Sequence, residues 1–333
     1  MNKNAGFAPK IVDFAALPHI YYSMIDIDRT FKSKTSMKKI TLAAIMAFVT
    51  LGASAQVGLT GKISQWADNT KTGSTRVGGM AVEPTSNIAF SISEDLGGGL
   101  KARGVVETSL SGNSISGTGT QLGDRQSTVG VAGKSGSIDI GRNVHSEFLA
   151  IANNDAFNTL YGSVAGDVHN LRGLRFSNGV FASTTVGPVA ATWDRSNNVP
   201  GTADSTAYSL GASAFGIGAT YAVFQQGAAE KSTVIGANAK IGPTAVFYSH
   251  SDNKSATAGD TKKGDLVGAS QRLGNITAKA SYGKTNTSTK AYNVGIDYHL
   301  SKRTEVGVAY RDVNVAGTAN DIKQIGVGLT HRF

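Results

Sequence analysis

Alternation of apolar with polar or small residues is the feature that most constrains this sequence. In segment 321–333, Ile325, Val327 and Leu329 are apolar, whereas the residues between them are small or polar. Segments 289–300 and 303–313 repeat the pattern. A period of two is that of a β-strand with one face against an apolar phase. From residue 56 onward no stretch reaches the ~18 apolar residues of a membrane-spanning helix, so a membrane role requires strands.

Composition excludes two classes of protein. The chain has 41 glycines among 333 residues, and each glycine costs about 1 kcal/mol inside a helix, which argues against a helical bundle. Hydrophobic residues make up 40% and charged residues 17%, which argues against disorder. The absence of cysteine excludes a disulfide framework and thiolate metal sites.

A complete secretory signal lies inside the chain. Met37-Lys38-Lys39 precedes the mostly apolar run Ile40–Leu51, and Ala53-Ser54-Ala55 has the small residues of a cleavage site. We therefore predict a signal peptide over 37–55 and a mature domain over 56–333. We interpret 1–36 as an extension that comes from a start codon assigned too far upstream.

Net charge gives no sign of nucleic-acid binding. Residues 1–55 carry 7 of the 32 basic and 3 of the 23 acidic residues, so their removal lowers the net charge from +9 to +5. The remaining charges are spread over alternating segments and form no basic stripe, which argues against a nucleic-acid partner.

The alternating segments predict an all-β fold, a transmembrane antiparallel barrel with a water-filled lumen. Its strand number is predicted as sixteen, and fourteen stays open because the strand boundary within 172–193 is unclear. Short turns alternate with longer polar segments such as 253–263. The predicted strands cover 56–67, 86–95, 100–110, 125–133, 136–143, 172–178, 180–194, 206–215, 217–226, 232–241, 244–252, 264–273, 275–285, 289–300, 303–313 and 321–333.

One long insertion, Val144 to His169, has neither alternation nor a turn cluster. A loop of that length is usually functional.

Several stretches together resemble the Gram-negative general porin family, in its β-proteobacterial branch. They are Ser93–Ala102, Asp124–Gly133, Ile140–Arg142, Tyr298–Thr304 and His331–Phe333. The resemblance implies a sixteen-stranded homotrimer in the cell outer membrane, with the third loop folded into the pore. It also implies partners: outer-membrane lipid, lipopolysaccharide, small solutes and ions, and an assembly machinery that recognises Phe333.

Charges in the lumen are where a channel exerts selectivity. Alternation turns Lys101, Arg103 and Glu107 inward. The resemblance assigns further constriction residues to the wall opposite the loop, to the start of the loop and to the loop itself. Arg125 and Arg175 belong to the wall, Arg142 belongs to the start of the loop, and the loop itself supplies Glu147, Asp155 and Asp167. Arg125 and Arg142 have outward parity, so they must turn inward at strand ends.

These observations predict passive diffusion of small hydrophilic solutes and ions with a mild anion preference. The preference is mild because Asn87 stands where some relatives place an arginine. A substrate-selective channel for an anionic metabolite remains the alternative. A barrel enzyme would need a catalytic cluster and an adhesive barrel would need long extracellular loops. The sequence shows neither. His145 and His169 have no partner at metal-ligand spacing, so we predict packing roles, with no metal and no cofactor.

Overall fold

Alternating segments form one continuous antiparallel sheet in the structure, a computed structural model. It describes residues 55–73, 75–82, 86–110, 121–169, 171, 173–197, 203–255, 261–316 and 321–333. The predicted extension 1–36 and all of the predicted signal peptide 37–55 except Ala55 lie outside these residues. Residues 56–333 therefore carry the whole described fold.

Seventeen strand segments and two short helices make up the described chain. The strands are β1 (Gln56–Thr72), β2 (Thr75–Val82), β3 (Asn87–Gly97), β4 (Leu100–Ser109), β5 (Gln126–Gly133), β6 (Gly136–Val144), β7 (Arg175–Val186), β8 (Val189–Ser196), β9 (Ser205–Ala214), β10 (Ile217–Gln226), β11 (Glu230–Ile241), β12 (Thr244–Ser255), β13 (Thr261–Leu273), β14 (Ile276–Thr285), β15 (Thr289–His299), β16 (Thr304–Val315) and β17 (Ile322–Arg332). The helices are α1 (Ser146–Ala152) and α2 (Ala165–Val168).

β2 and β3 are two halves of one interrupted barrel strand. The second half of β1 pairs with β2, from Gln65 opposite Val82 onward, and its first half pairs with β3, up to Lys62 opposite Asn87. β1 also pairs with β17, which closes the ring. The barrel therefore has sixteen strands, and the predicted number is confirmed.

Two predicted boundaries are wrong. The break near residue 179 is a bulge within β7, where Asn178 adopts a left-handed backbone (φ 52°) and the register with β6 shifts. The turn falls instead at Gly187 (φ 58°) and Pro188, between β7 and β8. The sequence prediction also missed β2, and it ended β1 at residue 67 rather than Thr72.

The two faces of the barrel differ as the alternation predicts. Large apolar side chains such as Phe90, Val129 and Ile296 are exposed on the outer face. The inner face carries small, polar and charged residues. Short turns and both Gln56 and Phe333 lie at one end, which we call the turn end. The insertion between β6 and β7 begins at the opposite end of the barrel, which we call the loop end.

Buried apolar side chains collect where the insertion meets the inner wall. The largest cluster joins Ile151, Val164 and Val168 of the insertion to Val234 and Leu266 of the wall. Complete burial of one such side chain is worth roughly 1.5–3 kcal/mol. The loop is therefore held against the wall by a hydrophobic core of its own.

The start of β1 carries a prediction about the mature N-terminus. Gln56 is the first residue of β1 and directly follows the predicted cleavage site. We expect N-terminal sequencing of protein extracted from membranes to begin at Gln56. Retention of Met1 would contradict both the signal peptide and the interpretation of 1–36.

Candidate functional site

The inserted loop folds into the lumen and packs against one side of the barrel wall. α1 contacts β8 to β11, and α2 contacts β13 to β15. Between the helices, Tyr161 stacks on Trp66 of β1 with ring centroids 4.1 Å apart. The inner wall from β3 to β7 is thus left facing the loop across the pore.

Two histidines fix the ends of the loop. The His145 side chain accepts from the Phe148 N–H as the N-cap of α1, and its Nε2 lies 2.9 Å from the Gly173 carbonyl oxygen. The two ring nitrogens of His169 each lie 2.8 Å from a wall hydroxyl, on Ser249 and Ser251. Both rings are fully buried, which agrees with the predicted packing roles.

The pKa of His169 is lowered to about 3, mainly by burial and in addition by the positive charge of Lys262. His169 is therefore neutral at physiological pH. Within the described residues no three potential metal-ligating side chains come together, and no helix there is long and apolar enough to cross a membrane.

Three arginines gather on the wall opposite the loop, and we call Arg125, Arg142 and Arg175 the arginine wall. Arg125 precedes β5, and its Nε lies 2.5 Å from Oε1 of the inward-facing Glu107. Arg175 interacts electrostatically with both other arginines, with Glu107 and with Asp124. The predicted inward turn of Arg125 therefore has a partner that explains it.

Arg142 lies at the register shift between β6 and β7, which breaks the outward parity of its strand. Its Nε donates to the Asp124 carbonyl oxygen at 2.6 Å, and its Nη1 donates to Ser177 Oγ. Burial would raise the pKa of the Asp124 carboxyl, but hydrogen bonds from Ser109 and the charge of Arg125 lower it below its ordinary value. Asp124 is thus a fixed negative charge within a positive cluster.

Asn87, which stands where an arginine was expected, is part of this wall. Its Nδ2 donates to Glu107 Oε1 at 2.6 Å, on the oxygen that Arg125 also contacts. The side chain therefore contributes a dipole and no charge.

The two other basic residues predicted for the constriction have surroundings that differ from those of the arginine wall. Lys101 is the second residue of β4, so it lies at the turn end, away from the loop. Arg103 forms a bidentate pair with Asp139, and both line a cavity of about 170 Å³ with Leu149 and Asp194. Asp139 neutralises much of the charge of Arg103.

Two predicted loop acids do not face the pore. Glu147 is 1% exposed and accepts a hydrogen bond from Ser232 of β11 at 2.5 Å. Asp155 is 3% exposed and accepts from the Thr159 N–H and the Ser163 hydroxyl, so it shapes the loop backbone. We expected both carboxylates to project into the pore. That expectation is wrong, because both are buried.

Asp167 is the one predicted loop acid with a charged partner on the wall. Its Oδ2 lies 3.2 Å from Nη1 of Arg311 on β16. Burial raises the pKa of Asp167, and the positive charges of Arg311 and Lys262 oppose that rise. Lys262 also donates to the Asp167 carbonyl oxygen at 2.9 Å. Sequence reasoning missed both basic partners, although alternation alone turns Arg311 inward.

A family model for Gram-negative porins matches residues 41–318 of the chain. The chain belongs to the Gram-negative porin family. This porin is 27% identical to the major outer membrane protein P.IB of Neisseria lactamica, over 89% of this chain and 100% of that protein. The P.IB protein of Neisseria meningitidis serogroup B is 37% identical over 113 residues, which are 33% of each chain.

Solved porin structures share the fold. An anion-selective porin from Comamonas acidovorans superposes with a TM-score of 0.72 at 19% identity, over 84% of this chain and all of that one. OmpF of Salmonella typhi, in complex with daunomycin, superposes with a TM-score of 0.67 at 16% identity, over 83% and 97%. Family and relatives place this porin in the outer membrane as a channel protein rather than an enzyme.

Proposed function

We propose that the porin is a channel for passive diffusion of small hydrophilic solutes and ions, with a mild preference for anions. The observation that carries the proposal is the arginine wall facing a loop whose acids are buried or paired. Arg125, Arg142 and Arg175 outnumber the carboxylates of Glu107 and Asp124 beside them. A low-dielectric rim focuses the field of a small charge excess onto a passing ion.

The exposed side of the loop supports a preference set by the wall. Its exposed residues include Leu149, Asn153 and Asn158, which carry no charge. An anion in the pore therefore meets cations on one side and neutral groups on the other. The anion selectivity of the Comamonas porin is consistent with this proposal.

A band of lysines supports an anionic lipid partner. Six exposed lysines point outward near the loop end of β11 to β17, and two pairs of them lie directly opposite each other across neighbouring strands. Like charges in that position repel, so a bound anion would stabilise them. Phosphate groups of outer-leaflet lipopolysaccharide have this chemistry. The lysine band consists of Lys231, Lys254, Lys263, Lys284, Lys290 and Lys323.

A homotrimer is the proposed assembly. The outer face from β3 to β6 carries exposed apolar side chains, among them Phe90, Ile92, Val129 and Ile140, and can pack against a second copy as well as lipid. One similar structure, OmpT of Vibrio cholerae, is described as a trimer form and superposes with a TM-score of 0.62. Native mass spectrometry of detergent-extracted protein tests this directly.

Selectivity is tested by neutralising the wall. We expect Arg125→Gln with Arg175→Gln to shift the reversal potential in a salt gradient toward cations, because two of the three wall charges are lost. The wild-type preference should weaken as salt rises, since exposed charges are screened over about 8 Å at physiological ionic strength. Planar-bilayer recordings measure both effects.

The matched control removes two positive charges from the lysine band, Lys254→Gln with Lys290→Gln, and should leave the reversal potential nearly unchanged. Lys262 is unsuitable for this control because it holds the loop. Equal shifts in the two double variants, or a strongly cation-selective wild type, would contradict the assignment. Conductance that saturates with one anionic metabolite would favour the substrate-selective alternative.

A further inference from the structure

Glycines mark the places where the loop touches the inner wall. Where the loop crosses β11, β13, β14, β15 and β17, the wall residue beneath a loop atom is repeatedly glycine. We call these six residues the glycine seat. They are Gly236, Gly264, Gly268, Gly283, Gly295 and Gly326.

The loop approaches five of these glycines too closely for a side chain. At the sixth, Gly268, a new Cβ would first meet Ser281 Oγ of the neighbouring strand, and Ala156 of the loop follows at 3.0 Å. A Cβ at Gly264 would lie under 3.0 Å from the Val168 carbonyl oxygen, and one at Gly283 would lie under 3.0 Å from Val168 Cγ2. Real Cβ atoms essentially never make such contacts. A Cβ at Gly326 would likewise meet the phenol of Tyr161. The three contacts lie on three different strands, so the closeness extends along the loop.

Glycine is not required at these positions by backbone conformation. None of the six has the left-handed φ that would demand it, in contrast to turn residues such as Gly187 and Gly242. Glycine inside a strand weakens the strand and often marks close approach of another backbone. The reason for glycine here is therefore the space that the loop occupies.

We propose that the glycine seat sets how far the loop projects into the pore, and so positions the constriction. A methyl group at a seat position would push the loop off the wall toward Arg125 and Arg175 and narrow the pore. The loop is packed into a dense core with Ile151 and Leu266, so it would move as a unit rather than locally absorb the group. This inference rests on the proposed role of the loop as the constriction.

The test is single-channel conductance of Gly264→Ala and Gly283→Ala. We expect both to conduct less than wild type, by roughly a quarter or more, because a shift of about 1 Å removes a noticeable share of a narrow pore. The matched control is Gly211→Ala on the inner face of β9, where the nearest atom to a new Cβ is 3.6 Å away. It should conduct like wild type.

A rescue experiment separates positioning from a general structural effect. At Gly283 the nearest obstacle is a methyl of Val168, so adding Val168→Ala should restore the conductance of Gly283→Ala. At Gly264 the obstacle is the Val168 carbonyl oxygen, which that substitution leaves in place. Val168→Ala should therefore not restore Gly264→Ala.

Wild-type conductance in both glycine variants would overturn the proposal, and so would equal rescue of both. If either variant fails to fold, as judged by heat-modifiable migration in gels, Val168→Leu adds bulk at the same contacts from the loop side. It should lower conductance, and no change would overturn the proposal. A wild type that forms no channel contradicts the proposed function instead, and an unshifted reversal potential in Arg125→Gln with Arg175→Gln contradicts only the wall assignment.

Discussion

Deletion of Phe333 is expected to remove most folded protein from the outer membrane while the remaining channels conduct normally. The backbone N–H of Phe333 donates to the Gly61 carbonyl oxygen, and the Gly61 N–H donates back, each at 3.0 Å. The Phe333 ring lies over Gly61, which leaves room for it. Two lost backbone bonds cost only about 1–3 kcal/mol, so an assembled barrel should survive, whereas a terminal recognition signal would be lost entirely.

The measurement is the amount of heat-modifiable protein in outer-membrane fractions, compared with conductance per channel. Phe333→Tyr is the control, because it retains the aromatic ring and both backbone bonds, and should assemble at near wild-type levels. Normal insertion of the truncated chain would contradict the assembly role. Reduced conductance at normal protein levels would assign Phe333 to the pore instead.

Acidification below pH 6.5 is expected to loosen the loop progressively. The pKa of His169 is about 3 when docked and 6.5 ordinarily, so docking favours the neutral ring. The stabilisation is fully present above pH 6.5 and is lost as the pH falls toward 3. Each pH unit in that window weakens docking by up to about tenfold, or ~1.4 kcal/mol. Lys262 and His250 oppose a charged ring, whereas Asp265 favours one.

Limited proteolysis of the loop between pH 7 and pH 4 measures this effect, together with fluctuations of the single-channel current. His169→Gln provides the control, since the amide can hydrogen-bond one serine hydroxyl and does not titrate. Its loop should be less firmly held at pH 7 but should respond less to acid. An acid response identical to that of wild type would assign the sensitivity to another group.

Local alternation was enough to predict the barrel. Successive side chains of each strand point to opposite faces of the barrel, so apolar and polar residues alternate with a period of two. This pattern does not depend on distant parts of the chain. The strand boundary near Asn178 could not be predicted, because a bulge and a turn use similar residues and differ only in the register with β6. β2 lacks strong alternation, so the hairpin with β1 was missed.

The site could be predicted only in part, because side-chain direction in a long loop has no period. Parity turned Arg103 and Glu107 inward, and resemblance brought Arg125 and Arg175 to the wall. The burial of Glu147 depends on a contact with Ser232, which is 85 positions away in the sequence. Asp155 is held by Thr159 and Ser163 of the loop itself, through a local fold that has no periodic signature. Glycine content argued against a helical bundle, but the reason for glycine at particular wall positions is visible only in the contacts of the wall with the loop.

The seam between β1 and β17 sets the order in which the barrel can form. Apart from the β1–β3 contact across the interrupted strand, every other strand pair joins neighbours along the described chain, so its contacts are local in sequence. The seam joins residues such as Lys62 and Arg332 from opposite ends. Low contact order favours fast hairpin formation, whereas closing so long a loop is entropically costly. The seam should therefore be the last contact to form, and until then both edge strands are open to aggregation.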